Sequence, residues 1–289
     1  MKRTLALALL LCLPTFFGSR ALCIPLLPEE YTGELAMIKP GTHPKRMVIK
    51  FFEAVDKGFS VELGALQESV YEIRFNEQYM PYRFSEYTIE GDLKEQYDRI
   101  YNANGVMTGE NKRGADRFVQ LSSEYTYENP KQAKTLRVQK IYNSEKHLMY
   151  TETYQSDKKG NITSMRRTNP KEELVYAYEY IYDENNNLIH ETRLDTKGTK
   201  VSEEEHEYGS HKELLSDNVY NAKGKLRFRN EYTYNDKNEM TGMTITHASG
   251  QVETYRMEYE YDTRGNWIRQ TTYKGSKIPV FVIIRDIEY

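Results

Sequence analysis

The sequence predicts an all-β fold: a long antiparallel meander of tandem hairpins with a 26-residue period, coiled into a curved sheet or an incompletely closed barrel. Three observations predict it. A phrase of the form Tyr-Asp/Asn-x-x-Gly-x-apolar recurs along the chain, clearest in YEYDTRGNW at 259–267. From residue 142 to 246 its copies are spaced alternately 14 and 12 residues apart, so two strands and two turns make one period. Between the copies, side chains alternate with period two, as in LVYAYEYIY (174–182) and LRFRNEYTY (226–234).

Residues 1–21, MKRTLALALLLCLPTFFGSRA, combine a basic start, a short apolar run and small residues Ser19 and Ala21 at signal-peptidase spacing. They read as a cleaved export signal, too short to span a bilayer, and no later segment has transmembrane length. Loss of Lys2, Arg3 and Arg20 takes the formal charge from −3 to −6, which offers no basic field to nucleic acid. One cysteine, Cys23, then remains; RALC is a poor lipid-attachment motif, so lipidation is the weaker reading. The expected location is periplasmic or extracellular, at the cell surface.

Residues 22–70 are expected to form an N-terminal cap or plug. Within them, PKRMVIKFFEAVDKG (44–58) has a proline at one end and a glycine at the other, with Val48, Phe51, Phe52 and Val55 on one helical side. A helix is slightly preferred there over a first strand. The C-terminal IPVFVIIRDIEY is apolar on both faces and needs a cover, for which the N-terminal segment is the candidate.

The repeat domain, 71–289, is justified turn by turn. Position two of the phrase is usually Asp or Asn, whose side chain bonds the backbone amides just ahead. Position five, where a three-residue loop with a type I turn and G1 bulge needs a left-handed residue, is Gly105, Gly160, Gly198, Gly224 and Gly265 among others. Asn186 and Asn238 substitute for glycine, whereas Lys146, Lys212 and Glu172 break the rule. Such a loop places position one opposite position seven, pairing Tyr182 with Leu188, Tyr220 with Leu226 and Tyr261 with Trp267. Even spacing keeps one tyrosine face from strand to strand, read as Leu174, Tyr176, Tyr178, Tyr180 and Tyr182 and as Leu226, Phe228, Asn230, Tyr232 and Tyr234. The odd 15-residue step from Thr246 to Tyr261 predicts an added bulge.

These phrases resemble the YD repeats of Rhs- and teneurin-type proteins and of short exported bacterial proteins, over roughly residues 75–275. The resemblance implies an extracytoplasmic hairpin array that encloses or displays something. Rhs proteins have many more copies and a C-terminal toxin or tip region, and this chain ends soon after its last repeat, so encapsulation of a payload does not carry over. No functional residue carries over either, because the motif residues are turns and clasps.

No catalytic constellation is legible, and neither cofactor nor metal is expected. His190 and His206 are read as sharing one face of neighbouring strands, two ligands without a third; SEEEHEY (202–208) divides its carboxylates between two faces. The expected role is therefore structural or binding rather than enzymatic. Its surface would be Tyr176, Tyr178, Tyr180, Tyr232, Tyr234, Tyr259, Tyr261 and Trp267, near one another on the concave face and suited to a cell-wall glycan, a peptide or another envelope protein. The alternatives are an outer-membrane β-barrel, disfavoured by charge on the face opposite the tyrosines, and a carbohydrate-active or enzyme-associated repeat protein.

Overall fold

The structure is a computed structural model that describes residues 38–128 and 136–289; the expected signal peptide and Cys23 lie outside the described residues. The strands are β1 (Arg46–Asp56), β2 (Val61–Phe75), β3 (Pro81–Thr88), β4 (Leu93–Tyr101), β5 (Met107–Gly114), β6 (Val119–Tyr127), β7 (Leu136–Asn143), β8 (Leu148–Ser156) and β9 (Ile162–Thr168). They continue as β10 (Leu174–Tyr182), β11 (Leu188–Leu194), β12 (Lys200–Tyr208), β13 (Leu214–Asn221), β14 (Leu226–Tyr234), β15 (Met240–His247), β16 (Val252–Tyr261), β17 (Trp267–Lys274) and β18 (Ile278–Glu288). Every strand pairs antiparallel with its sequence neighbours, and β18 pairs with β1, so the 18 strands form a closed ring. The meander expected from the repeat is present, and its closure is complete rather than partial.

The helix expected at 44–58 is strand β1. Met47, Ile49 and Phe51 alternate with Val48, Lys50 and Phe52, and this β-branched and aromatic run is held on one edge by β18 and on the other by β2. Residues 46–56 and 61–70 therefore build wall, not plug. The apolar C-terminal strand finds its partner edge-on, from Arg46 opposite Glu288 to Glu53 opposite Phe281. Its outer side is covered as well, by the β1–β2 hairpin. Two register shifts, at Lys50/Phe51 and Phe52/Ala54, bend that hairpin back over the wall. Arg269 then donates to the Val61 carbonyl at 2.5 Å, and outward-facing Val282 and Thr271 are buried.

Each repeat turn has the predicted form. In the loop after Tyr101, the amide of Asn102 bonds the Val106 carbonyl, the amide of Gly105 bonds the Asn102 carbonyl, and Asn102 Oδ1 accepts from the amides of Asn104 and Val106. Lys146, Glu172 and Lys212, although not glycine, take the same left-handed conformation, with φ of 65°, 64° and 66°. The cross-strand pairs Tyr182–Leu188, Tyr220–Leu226 and Tyr261–Trp267 all form.

What the sequence reading missed is a bulge immediately beyond nearly every tip. Tyr101 faces Met107, but Ile100 faces Gly109, so one residue drops out of register and the faces exchange. Leu174 and Leu226 consequently lie opposite the tyrosine face they were assigned to. The β15–β16 hairpin alone among these tips has no shift, with Thr246 opposite Val252 and Ile245 opposite Glu253. The odd 15-residue step thus marks a missing bulge rather than an added one, and this is what keeps Tyr259 and Tyr261 on the same face as the other tyrosines.

The two ends of the barrel differ as a result. At one end the tip pairs point to the tyrosine face, and Met107, Leu136, Ile162, Leu188, Leu214, Met240 and Trp267 are all buried. At the other end the pairs Tyr87–Leu93, Tyr142–Leu148, Leu194–Lys200 and Tyr220–Leu226 point the opposite way and are half-buried. Side chains of a single-layer closed wall bury one another where they converge, on the inner side, so the tyrosine face is the inner face.

Candidate functional site

Apolar packing on the inner face falls into three patches, each built from consecutive strands. One gathers Met47, Ile49, Phe51, Tyr71, Ile73, Phe84, Tyr97, Trp267 and Ile283 around the β18–β1 closure. A second runs from Met107 and Tyr125 to Tyr180 and Leu188, and a third from Leu214 and Tyr232 to Tyr255 and Met257. No patch joins opposite sides of the ring. With about 4.8 Å between strands, 18 strands give a perimeter of about 86 Å, in the range where barrels enclose a lumen.

The eight ring residues proposed from the sequence do lie on the inner face, but not together. Tyr176, Tyr178 and Tyr180 belong to the second patch, where Tyr178 and Tyr180 stack at 6.0 Å and Tyr176 meets Tyr178 edge-on at 5.8 Å. Tyr232, Tyr234, Tyr259, Tyr261 and Trp267 lie several strands away, joined through Tyr259, which touches both remaining patches. Tyr180, Tyr232 and Trp267 are buried and the others half-buried.

Their hydroxyls explain why position one is so often tyrosine. At the inward-pointing rim, three tyrosines donate to the backbone carbonyl that opens the previous strand pair: Tyr101 to Pro81 at 2.8 Å, Tyr127 to Met107 at 2.7 Å and Tyr234 to Leu214 at 2.9 Å, whereas Tyr261 donates to Glu239. Tyr259 donates to the Met240 carbonyl at 2.7 Å. These bonds tie each hairpin to its predecessor. At the outward rim the acceptor is a carboxylate instead: Tyr142 to Glu124, Tyr220 to Glu205, Tyr273 to Glu258.

Charged groups on the inner face are mostly matched. Glu152, fully buried, accepts from Arg167 Nε at 2.7 Å and from Tyr154; Glu110 lies 3.5 Å from Arg99; Asp217 accepts from Tyr232 at 2.5 Å and from Asn230 at 3.0 Å. Burial raises the Asp217 carboxyl above its ordinary range against those hydrogen bonds. The His206 ring also faces inward. Burial, with a smaller repulsion from His190, lowers its pKa to about 4.

His190 and His206 do not share a face as expected, because His190 pairs with Glu205 on the outer wall. There it meets Glu203 at 2.8 Å, and the three form the only His/Cys/Asp/Glu cluster of metal-binding size among the described residues. Glu203 is also bonded by Lys200 and Glu205 by Tyr220. Most of the remaining outer wall is charged or polar, carrying Lys140, Arg166, Glu179, Glu205, Glu231 and Glu258, with Ile100 and Ile181 exposed among them.

The last repeat tip has a further task. Asn266 Oδ1 accepts from the Lys39 amide at 2.6 Å, and Asn266 Nδ2 donates to Tyr289 Oη at 2.7 Å and to Thr42 Oγ1 at 3.1 Å. Arg264 lies over the Tyr289 ring at 3.8 Å. Gly265, with φ 82°, has Lys39 Nζ only 2.9 Å from where a Cβ would sit. The turn that elsewhere is only a turn here fastens the two ends of the described chain beside the closure.

Residues 199–288 match the model of a family described as "Uncharacterised protein". No curated protein matches the chain. Among solved structures, a porin-like protein from Bacteroides uniformis aligns over 86% of this chain and 98% of its own, with 11% identity and a TM-score of 0.43. A porin-like protein from Bacteroides vulgatus aligns over 82% and 96%, with 8% identity and a TM-score of 0.30. The Tc holotoxin pore of Photorhabdus luminescens aligns over 73% of this chain and 15% of its own, with 12% identity and a TM-score of 0.22. At these scores the architecture rests on the chain's own strand ladder rather than on the likenesses.

Proposed function

We propose that the protein is an exported, non-catalytic barrel of the cell envelope that faces water with its outer wall and offers its aromatic inner wall to a glycan or an extended peptide. The observation that carries this reading is the sorting of side chains in a closed ring: the three apolar patches lie inward, where the charged groups are mostly matched, and most outward positions are charged or polar. That is the arrangement of a barrel in water, whereas lipid contact requires an apolar outer band. Tyrosine and tryptophan faces with polar edges suit stacking on sugars or gripping a peptide backbone. Among the described residues the matched inward charges leave no convergent acid, base or nucleophile, which supports binding over catalysis.

Fractionation of expressing cells tests the location: release with the soluble envelope fraction, without detergent, is expected. A second reading, a barrel set in the outer membrane, is favoured by the closure of an even number of antiparallel strands. Recovery only in detergent-extracted membranes decides for it. The binding part is tested by a screen of glycans, peptidoglycan fragments and peptides, in which Trp267→Ala or Tyr178→Ala should weaken each ligand found, according to which patch holds it. Ligands that survive both changes overturn the inner-wall site.

A further inference from the structure

One inward cation has no hydrogen-bond or ion-pair partner among the described residues. Arg285 on β18 is 1% exposed, and its Nε and both terminal nitrogens are sealed from solvent without a hydrogen-bond partner. The Trp267 ring lies 4.0 Å from its guanidinium carbon. Two other inward arginines, Arg99 and Arg167, each face a carboxylate. The carboxylates nearest Arg285 are engaged elsewhere: Asp262 with Tyr289 and its own turn amides, Glu239 with Tyr261 and Asn235. Burial lowers the Arg285 pKa to about 10, so the group is still a cation at neutral pH. An unpaired buried charge is strongly destabilising. An apolar side chain beside Ile49, Trp267 and Ile283 would avoid that cost, as it does along the rest of this strand's inner face.

We propose that Arg285 anchors a carboxylate-binding subsite on the inner wall, taking a monocarboxylate with an apolar body. The planar guanidinium, with five donors and none used, matches a carboxylate two-point, and with Trp267 over one of its faces the acceptor must come in at the N–H edge. Asp262 and Glu239 nearby repel a second negative charge, which selects a carboxylate over a phosphate or sulfate dianion. The surrounding rings and aliphatics, Trp267, Tyr259, Ile49 and Ile283, select the apolar body. This subsite rests on the inner-wall binding reading and narrows it to one ligand chemistry.

Trp267 is the only tryptophan of the chain, so it reports directly on its neighbour. An occupant at the guanidinium edge has to shift the indole or the side chains around it. Titrating the purified protein with octanoate should give a saturable change in tryptophan fluorescence, and neither octan-1-ol nor sodium sulfate should give one at the same concentrations. Arg285→Met should weaken the octanoate response about tenfold or more, and Arg285→Lys, which keeps the charge but not the fork, by less. Arg285→Met should also melt at or above the wild-type temperature, since it removes an unpaired buried charge, whereas a purely structural arginine stacked on Trp267 predicts a lower one. An octanoate response unchanged in Arg285→Met overturns the anchor. So does octan-1-ol matching octanoate, although an apolar inner-wall site then survives. No saturable response to octanoate also overturns the carboxylate subsite, and the glycan and peptide screen separately decides the broader reading.

Discussion

The two rims of the barrel are built from the same seven-residue phrase and use it in opposite ways. At one rim the tip pair turns inward: the apolar position seven is buried and the hydroxyls of Tyr101, Tyr127 and Tyr234 bond a backbone carbonyl of the previous hairpin, while Tyr261 bonds Glu239. At the other rim the tip pair turns outward, position seven is half-buried and the tyrosine hydroxyl meets a glutamate. One bulged residue per hairpin makes the difference, because it exchanges the faces of the strand beyond it. The rims therefore divide the work: the inward rim holds the ring together through burial, and the outward rim keeps the barrel wet.

The division is broken most directly at position seven. Leu136→Ala, at a fully buried inward position, should cost about 2–5 kcal/mol, whereas Leu148→Ala at the outward rim should cost well under half as much. Denaturant melts of the two variants decide this. Equal losses mean that the faces are misassigned.

How far this division could be read beforehand depends on the range of the interaction. Tyr182–Leu188 and Tyr261–Trp267 were legible because a three-residue loop dictates its own pairing from local residues. The bulge was not, since no side chain in Leu174-Val175-Tyr176 or Leu226-Arg227-Phe228 announces which residue will leave the ladder; only the odd step before Tyr261 hinted at it, and it pointed to an added bulge. Closure was hidden because it joins residues more than 220 apart, Arg46–Glu53 with Phe281–Glu288. The same pairing overrode the helical pattern at 44–58. The eight ring residues named from the sequence share a face, whereas Tyr87, Tyr142 and Tyr220 point the other way because of the bulges, and which rings meet depends on the curvature of the ring. Arg285 did carry a signal, as a cation directly after the apolar run VFVII.

The contrast between inside and outside continues between the rims, in two histidines on neighbouring strands. His206 faces in and is held neutral, with its folded pKa near 4 against an ordinary value of 6.5; His190 faces out beside Glu203 and Glu205. As pH falls, the unfolded chain takes up the His206 proton first. Its contribution is therefore complete above about pH 6.5 and lost on the way down to pH 4, on the order of 3 kcal/mol. His206→Asn should flatten stability across that window. Asp217, opposite His206 in the ladder, has a raised pKa and acts in the reverse sense, so the comparison is cleanest in an Asp217→Asn background. A slope that survives His206→Asn there would place the ring in water.

The tyrosine hydroxyls sharpen the comparison further. Tyr127→Phe removes a buried donor and strands the Met107 carbonyl, at a cost of about 1–2 kcal/mol. Tyr142→Phe removes an exposed hydroxyl from Glu124 and should stay within about 0.5 kcal/mol. Similar values for both would show that the inward tyrosines act by ring packing alone.

The smallest effect lies in the turns of the outward rim. Glu172 holds φ 64° at position five, and its exposed side chain has no hydrogen-bond partner that would be lost on removal. A left-handed conformation costs a residue with a Cβ roughly 1–2 kcal/mol, part of which is returned to the unfolded state when glycine replaces it. Glu172→Gly should therefore stabilise the protein by about 0.5–1 kcal/mol. Lys146→Gly should gain less, because Lys146 Nζ gives up its 3.2 Å bond to Ser122. The reverse change, Gly224→Ala, where φ is 72° and a Cβ meets nothing within 4 Å, isolates the backbone term and should lose a similar amount. If Glu172→Gly destabilises while Gly224→Ala does not, the left-handed residue is not what closes these turns, and the bulge that distinguishes the rims must be set by the strands instead.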